Sequence, residues 1–225
     1  MNVKCQHRPG MKEGGWRYKF FIGRRKGMDW TGNKKSAFVC NGASNHSEEE
    51  RETNDYYATE PKAIDILLNE GKIKLSSTVL EPACGEGHLS KRLEECGYKV
   101  KSSDIINRGY GEVKDFFDIK EWNGDIVTNP PYKIAREFVE HALDIVPNGS
   151  QIVMFLKLTF LESKKRKALF KKYPPKMLLV SSSRLQCAKN GDFTTYSKGV
   201  GTAIAYAWYI WEKGYEGKTV IDWVN

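Results

Sequence analysis

The stretch TVLEPACGEGH, residues 78–88, decides how the rest of the sequence is interpreted. Residues 78–82 have the apolar character of a short β-strand, and they run directly into two glycines, Gly85 and Gly87. Glycine permits a tight turn and a close backbone approach to a ligand because it has no Cβ atom. Apolar residues recur at helical spacing from Leu89 onwards. The stretch therefore predicts a strand, a glycine turn and a helix, although the turn lacks the Gly-x-Gly-x-x-Gly spacing of dinucleotide-binding proteins.

Outward from this stretch, from about residue 56 to residue 225, predicted strands alternate with predicted helices. The apolar run at residues 151–158 is nearly continuous, as is typical of a strand buried on both faces. Alternation of this kind favours a doubly wound, mainly parallel α/β sheet. The further predicted strands cover residues 98–103, 125–128, 176–181 and 203–211, the last two being read as the final strands, and the predicted helices cover 60–70, with Thr59 as a possible N-cap, 134–145 and 163–172.

The first 50 residues differ in composition from the rest of the chain. Residues 1–38 contain ten basic and two acidic side chains, so this segment carries the whole formal net charge of +8. A basic segment with interleaved aromatic residues is the natural partner of a polyanion such as nucleic acid. We therefore expect a basic N-terminal extension over residues 1–50, with a short strand at 16–22, and a catalytic domain over residues 51–225.

Several classes of protein are disfavoured by composition. No apolar run approaches the roughly 20 residues that cross a bilayer, and the first ten residues lack the apolar core of a secretory signal. The five cysteines are scattered, which fits reduced thiols and a cytoplasmic location. Cys5, His7, Cys40 and His46 match no strong zinc-binding spacing, and we expect no metal.

Acidic residues follow the predicted strands at positions suited to a nucleoside. Asp104 ends the second strand, where a carboxylate can hydrogen-bond both hydroxyls of a ribose. Asp115 and Phe116 follow, and together they could accept a hydrogen bond from an adenine amino group and pack on its ring. Each acid alone is an ordinary exposed turn residue, but their order after the glycine turn predicts a cofactor that contains adenosine.

The predicted strand at residues 125–128 runs directly into Asn129-Pro130-Pro131-Tyr132. Two prolines stiffen a turn and remove backbone donors, which leaves the Asn129 side-chain oxygen and the Pro130 carbonyl as fixed acceptors. Two acceptors at a fixed separation suit an amino group with two hydrogens. Tyr132 offers a flat face on which a planar ring can stack. The tetrapeptide therefore predicts a site for a planar group that carries an amino substituent.

These motifs together resemble those of class I, S-adenosylmethionine-dependent adenine-N6 DNA methyltransferases, and most closely the small enzymes of phages and prophages. The resemblance covers about residues 40–225 and rests on motifs that occur in the family's gamma order. The Glu-Pro-Ala-Cys-Gly form at residues 81–85 is typical of DNA amino-methyltransferases, and an initial Asn in the tetrapeptide favours adenine over cytosine. The motifs are DYYATEP at 55–61, EPACG at 81–85, Asp104, Asp115-Phe116 and Asn129-Pro130-Pro131-Tyr132.

The resemblance implies a seven-stranded Rossmann-like sheet, S-adenosyl-L-methionine as cofactor and DNA as substrate. It assigns Asn129, Pro130, Pro131 and Tyr132 to catalysis and to a target base that leaves the duplex, with Asn129 also beside the cofactor. The further cofactor-binding residues that it implies are Tyr57, Thr59, Glu81, Ala83, Gly85, Gly87, Asp104, Ile105, Asp115 and Phe116.

Three alternatives stay open at the level of sequence. Asn-Pro-Pro-Tyr also occurs in RNA adenine methyltransferases and in enzymes that methylate a protein glutamine, although residues 1–50 lack the helical pattern of the latter. A non-catalytic DNA-binding module with a relic fold is the third. No sizeable target-recognition domain fits in the chain, so we expect short or relaxed sequence specificity, with residues 1–38 and the loop at 186–201 as the parts that could read DNA.

Overall fold

A computed structural model describes residues 57–183, 185, 187–189 and 204–225. The predicted extension at residues 1–50, its short strand and the four possible zinc ligands lie outside these residues. Among the described residues, no helix is long and apolar enough to cross a membrane. The strands are β1 (Tyr57–Thr59), β2 (Thr78–Glu81), β3 (Lys99–Asp104), β4 (Glu112–Val113), β5 (Asp125–Thr128), β6 (Gln151–Lys157), β7 (Met177–Ser181), β8 (Cys187–Lys189), β9 (Tyr206–Glu212) and β10 (Val220–Val224). The α-helices are α1 (Lys62–Asn69), α2 (His88–Glu95), α3 (Ala135–Ile145) and α4 (Lys164–Lys172).

The main sheet has the strand order β10-β7-β9-β6-β5-β2-β3-β4. Strand β9 is antiparallel to β6 and β7, and the other pairs are parallel. The prediction of a doubly wound, mainly parallel sheet is confirmed. The predicted number of seven strands is wrong, because β10 adds an eighth: after β9 the chain turns at Gly214, whose φ is +86°, and returns parallel to β7.

The core lies on both faces of this sheet. Val153 and Phe155 of β6 pack towards α1 and α2, whereas Met154 and Leu156 pack towards α3 and α4. Five consecutive residues of β6 are fully buried. The predicted strand buried on two faces is therefore confirmed, since helices cover the sheet on both sides.

Two local predictions around the first helix and the late loop are wrong. Thr59 does not cap α1: it ends β1, and Pro61 is the N-cap residue of α1. Residues 187–189, predicted as part of a loop, form β8 instead, which pairs antiparallel with β1. The pairing satisfies backbone groups that a loop would leave to solvent, and single-sequence patterns do not specify a partner so distant in the chain.

Strand β2 lies between β3 and β5, although β3 follows it in sequence and β5 comes later. The order of the strands therefore reverses beside β2, and ligands of open α/β sheets bind at the carboxyl ends of the strands at such a reversal. The residues that follow β2, β3 and β5 must consequently meet at one edge of the sheet.

The opposite, amino-terminal edge is held by Asp125, which begins β5 and is 4% exposed. Its Oδ2 accepts a hydrogen bond from the Ser76 backbone N–H at 2.6 Å, and its Oδ1 accepts one from the Gln151 N–H at 2.7 Å. The Asp125 N–H in turn donates to the Ser76 hydroxyl at 3.0 Å. One carboxylate thus ties together the starts of β2, β5 and β6.

We predict that Asp125→Ala lowers the free energy of unfolding by about 3 kcal/mol, because two charge-assisted hydrogen bonds are lost and their donors stay partly buried. Urea denaturation followed by circular dichroism measures this change. Asp144→Ala, at an exposed position near the end of α3, is the control and changes stability by less than about 0.5 kcal/mol. Equal stability of the two variants would contradict the assigned role.

Candidate active site

A cleft opens at the carboxyl ends of β2, β3 and β5, with about 920 Å³ of space including its mouth. The glycine turn after β2 forms one wall, the segment after β3 forms the second, and the tetrapeptide after β5 forms the third. Its lining includes Ala58, Thr59, Glu81, Pro82, Ala83, Cys84, His88, Asp104, Ile105, Arg108, Asp115, Phe116, Asn129, Pro130, Pro131 and Tyr132.

Asp104 connects two of these walls. Its Oδ2 accepts a hydrogen bond from the Gly85 N–H at 2.9 Å, which brings the glycine turn to the end of β3. Its Oδ1 accepts one from the Ile106 N–H at 3.0 Å. A carboxylate has about four acceptor positions, so two backbone bonds fix its orientation and leave capacity for the hydroxyls of a ligand.

Glu81 is the last residue of β2 and is 1% exposed. The Ser90 hydroxyl donates a hydrogen bond to its carboxyl group, and the Ser102 hydroxyl lies 2.6 Å from the Ser90 hydroxyl. Burial raises the pKa of Glu81 to about 8, and the nearby Asp104 carboxylate adds to the rise. At neutral pH in the ligand-free protein, Glu81 is therefore mostly a neutral acid that can donate as well as accept a hydrogen bond.

The side chain of Tyr110 packs against the glycine turn from outside the cleft. Its ring lies against Gly87, where an added Cβ atom would overlap the ring, and Gly87 has a φ of +81°. The Tyr110 hydroxyl donates to Glu94 of α2 at 3.3 Å, and Lys91 lies 4.9 Å from the ring centroid. Gly87 is thus required both by its left-handed conformation and by the ring beside it.

A second close approach joins the same two segments. An added Cβ atom at Gly111, whose φ is +75°, would lie 2.7 Å from Cys84 Sγ. Cys84 is 5% exposed, and burial raises the pKa of its thiol to about 12. The group is therefore a packed thiol and not a nucleophilic thiolate.

The wall after β3 combines an exposed apolar side chain with a buried aromatic one. Ile105 is 64% exposed although it borders the cleft, so a ligand that covers it would remove apolar surface from water. Phe116 is 2% exposed, and its ring centroid lies 4.8 Å from that of Phe138. Asp115 accepts a hydrogen bond from the Phe117 N–H at 2.9 Å through Oδ1, which begins the short 3-10 helix Phe116–Asp118.

His141 of α3 supports this 3-10 helix from behind. Its Nε2 lies 3.0 Å from the carbonyl oxygens of both Phe116 and Ile119. Its ring meets the Phe116 ring edge-on, with a centroid distance of 4.7 Å. The position of Asp115 and Phe116 against the cleft thus depends on a histidine from the helix that follows the tetrapeptide.

Asn129 lies directly after β5, and its side-chain Nδ2 donates a hydrogen bond to the Thr59 hydroxyl at 2.8 Å. That bond fixes the amide plane, and the Asn129 carbonyl oxygen is then the acceptor end of the side chain. Thr59 is 2% exposed and also lines the cleft, so β1 positions the Asn129 amide. No sequence pattern placed these two residues in contact, because they are 70 positions apart.

Tyr132 begins the 3-10 helix Tyr132–Ile134, which the stiff Pro130-Pro131 turn leads into. The Lys157 ammonium lies 4.4 Å from the centroid of its ring, and the Tyr206 ring centroid lies 6.3 Å away. These contacts hold the ring at the border of the cleft. A cation against an aromatic face is favourable because of the ring's negative quadrupole.

The structure brings most of the predicted site residues to this one cleft, and three of them are not among its described lining residues. Gly85 and Gly87 shape the turn behind the wall. Tyr57 pairs through its backbone with Lys189, and its side chain lies outside the described part of the chain. The other eleven predicted site residues all line the cleft: Thr59, Glu81, Ala83, Asp104, Ile105, Asp115, Phe116, Asn129, Pro130, Pro131 and Tyr132.

Sequence patterns missed several residues that shape the site. Arg108 lines the cleft from the loop after β3, and Ser90, Ser102, Tyr110 and His141 act behind it. Their contacts depend on how separate segments pack. The glycines at 109 and 111 were the one sequence signal that the loop is tightly built.

Comparison with known proteins places this site in a known architecture. No protein-family model and no curated protein sequence matches the chain. Among solved structures, a candidate class I S-adenosylmethionine-dependent methyltransferase from Listeria monocytogenes aligns with a TM-score of 0.52, 13% identity, 78% of this chain and 68% of its own. The fold is that of class I methyltransferases. The predicted fold is thereby confirmed.

Two further solved structures share the architecture. A candidate RNA methyltransferase from Pyrococcus horikoshii aligns with a TM-score of 0.52 and 14% identity, over 79% of this chain and 97% of its own. A candidate hemolysin from Streptococcus thermophilus aligns with a TM-score of 0.50 and 9% identity, over 72% and 68% of the two chains. The Listeria protein is described as S-adenosylmethionine-dependent, and S-adenosylmethionine is the cofactor that the sequence motifs of this chain predict.

We predict that Gly87→Ala weakens the binding of S-adenosylmethionine at least tenfold, because the methyl group collides with Tyr110 and the residue disfavours its positive φ. Tyr110→Ala removes the collision, so the double variant binds more tightly than Gly87→Ala alone. Isothermal titration calorimetry measures all three affinities. Gly97→Ala is the matched control, since Gly97 has a φ of +92° and no atom lies within 4 Å of an added Cβ. Strictly additive effects in the double variant would contradict the proposed contact between the Tyr110 ring and Gly87.

We predict a pH dependence of stability from Glu81. Between pH 4.5, its ordinary pKa, and about 8, the folded protein holds a proton that the unfolded chain has lost. The free energy of unfolding therefore falls as pH rises through this window, by up to about 1.4 kcal/mol per pH unit. Urea denaturation from pH 5 to 8 should give a shallower fall for Glu81→Gln. Identical slopes for the two proteins would show that Glu81 is not buried as a neutral acid.

Proposed function

We propose that this protein transfers a methyl group from S-adenosylmethionine to the N6 amino group of adenine in DNA. The observation that carries the proposal is the Asn129 amide, fixed by Thr59 and followed by the Pro130 carbonyl at the border of a class I methyltransferase cleft. The sequence adds two supports: the leading Asn of the tetrapeptide favours adenine, and the basic first segment favours nucleic acid.

The residues of the cleft fit the proposed cofactor. The fixed Asp104 carboxylate would accept hydrogen bonds from the ribose hydroxyls, and exposed Ile105 would cover the adenine ring. The second Asp115 oxygen would accept a hydrogen bond from the adenine amino group. The cofactor supplies an electrophilic methyl group on a sulfonium centre, with a neutral thioether as the leaving group.

The chain's own residues would then act by orientation. The target amino group would donate its two hydrogens to the Asn129 Oδ1 and the Pro130 carbonyl. These bonds would hold its nitrogen lone pair, otherwise delocalised into the ring, towards the methyl carbon. The bound cofactor would supply the methyl group for the new N–C bond and keep the pair of the broken C–S bond on sulfur, and the amino group would lose one proton to water. Most of the rate gain would come from positioning and preorganised acceptors.

Tyr132 would stack on the target base, which must leave the duplex at a cost of roughly a few kcal/mol. Its ring already lies at the border of the cleft, so no large rearrangement of the tetrapeptide is required. Methylation of RNA adenine or of a protein glutamine would use the same acceptors, and these substrates are separate arms of the test below.

We predict that the protein transfers tritiated methyl groups from S-adenosylmethionine to unmethylated DNA, and that Asn129→Ala lowers the rate about 10²-fold to 10³-fold. The control is Asn123→Ala, an exposed asparagine beside the amino-terminal edge of the sheet, whose activity should stay within twofold of the unchanged protein. Thr59→Val should give an intermediate loss, because it removes only the acceptor that positions the Asn129 amide.

Parallel reactions with RNA and with a protein extract identify the substrate class. Label in RNA or in protein alone would overturn the DNA assignment. Full activity of Asn129→Ala would overturn the catalytic assignment. A relic fold would give no label and no calorimetric binding of S-adenosylmethionine.

A further inference from the structure

A strip of positive charge leads away from the tetrapeptide and is not used by the proposed chemistry. We call it the basic strip and define it as Lys133, Lys157, Lys164, Lys165 and Lys167. Lys133 follows Tyr132 directly, and Lys157 ends β6 with its ammonium against the Tyr132 ring. The 3-10 helix Leu158–Leu161 then leads to α4, whose first turns carry the other three lysines.

The position of the strip follows from the parallel sheet. Strands β5 and β6 are neighbours and parallel, so the tetrapeptide and the start of α4 lie at the same, carboxyl-terminal edge. Arg166 fixes the connection, because its Nη1 donates to the Thr159 carbonyl at 2.7 Å and to the Glu162 carbonyl at 2.9 Å. Its guanidinium also lies 4.8 Å from the Phe160 ring centroid. The exposed lysines of α4 are therefore carried on a connection that Arg166 holds in a fixed conformation.

The charge of the strip is weakly compensated. Lys133, Lys164, Lys165 and Lys167 are exposed, and within the described ranges no carboxylate oxygen lies within 4 Å of their amino groups. In the sequence from residue 158 to residue 172, Glu162 is the one acidic residue. Like charges held this closely repel one another, and an external polyanion would relieve the repulsion.

The two ends of α4 differ in a way that points to a function for the first one. Lysines at the start of a helix are disfavoured by the positive end of its dipole, whereas lysines at its end are favoured. The last lysine of α4, Lys172, contacts Tyr173 and lies near Asp144 and Glu140 of α3, and these groups raise its pKa. The first lysines stand at the disfavoured end, at the same edge of the sheet as the tetrapeptide. Local rules broken beside a site indicate a functional role.

We propose that the basic strip binds the phosphates of the DNA strand that flank the target nucleotide, and so delivers the base to Tyr132. This inference rests on the proposed function and deepens it. Flexible lysine side chains suit contacts with the phosphates of the DNA backbone, which do not depend on the base sequence. Lys157, between the ring and α4, would be the contact closest to the nucleotide that leaves the duplex.

The test is a triple variant, Lys164→Gln/Lys165→Gln/Lys167→Gln, titrated with a fluorescent unmethylated DNA duplex at several salt concentrations. We expect about 30-fold weaker binding at 0.1 M salt and a log–log salt slope that is smaller by about 2 to 3. Affinity for S-adenosylmethionine should not change. The melting temperature should be equal or higher, since three cations leave the positive end of a helix.

The matched control is Lys74→Gln/Lys99→Gln/Lys218→Gln, which removes the same charge from exposed lysines at the amino-terminal edge of the sheet. It should bind DNA like the unchanged protein apart from a small, uniform electrostatic loss. Lys164→Arg/Lys165→Arg/Lys167→Arg should retain binding, because the charge is kept. If the two triple glutamine variants lost the same DNA affinity, the DNA-binding role of the basic strip would be overturned and the proposed function would stand.

A different outcome distinguishes the proposed function from this inference. If the unchanged protein neither binds nor methylates DNA, the proposed function fails and the inference fails with it. If it methylates DNA while the triple variant binds DNA normally, only the inference fails. An RNA of the same sequence is titrated in parallel. If the unchanged protein binds this RNA but not DNA, and the triple variant loses the RNA binding, the assignment to DNA is overturned.

Discussion

Three parallel strands, β3, β2 and β5, end at one edge of the sheet, and the site depends on this constraint. Parallel pairing requires crossover helices on both faces, which bury β6 and its neighbours and hold their register. Because β2 lies between the other two strands, the glycine turn, Asp104 and Asn129 have no other place to meet. At the opposite, amino-terminal edge, Asp125 holds the starts of β2, β5 and β6 together, which also fixes the positions of β2 and β5 at the site.

Around that edge, supporting contacts between side chains and backbone determine what the walls of the cleft can do. Tyr110 holds Gly87, Asp104 holds Gly85, His141 holds the Phe116 carbonyl, and Thr59 holds the Asn129 amide. Each is a supporting contact that fixes the orientation of a group facing a ligand, and such support is what positioning catalysis requires. The raised pKa of Glu81 is also a product of burial, since the same residue in an exposed turn would keep a pKa near the ordinary value for glutamate.

Predictability from sequence differed between elements for physical reasons. The fully apolar β6 and the periodic helices α1 to α3 were predictable, because burial imposes their patterns locally. Strand β10 was not, since its apolar residues 220, 221, 223 and 224 do not alternate with polar ones, and Val220, Ile221 and Trp223 are half or more exposed. The pairing of β8 with β1 joins segments about 130 residues apart, and no local pattern encodes it. The tetrapeptide, Asp104 and Asp115 were identified because their chemistry is carried by residue type and order.

The sequence by itself determined the fold class and the groups that can face a ligand. Hydrophobic periodicity and the glycine turn need only neighbouring residues to be recognised. The tertiary structure alone decided that Thr59 orients the Asn129 amide, that burial raises the pKa of Glu81, and that Lys157 and α4 continue the surface from Tyr132. These properties arise from contacts and burial between segments distant in sequence. They exist only once the sheet has brought those segments to one edge.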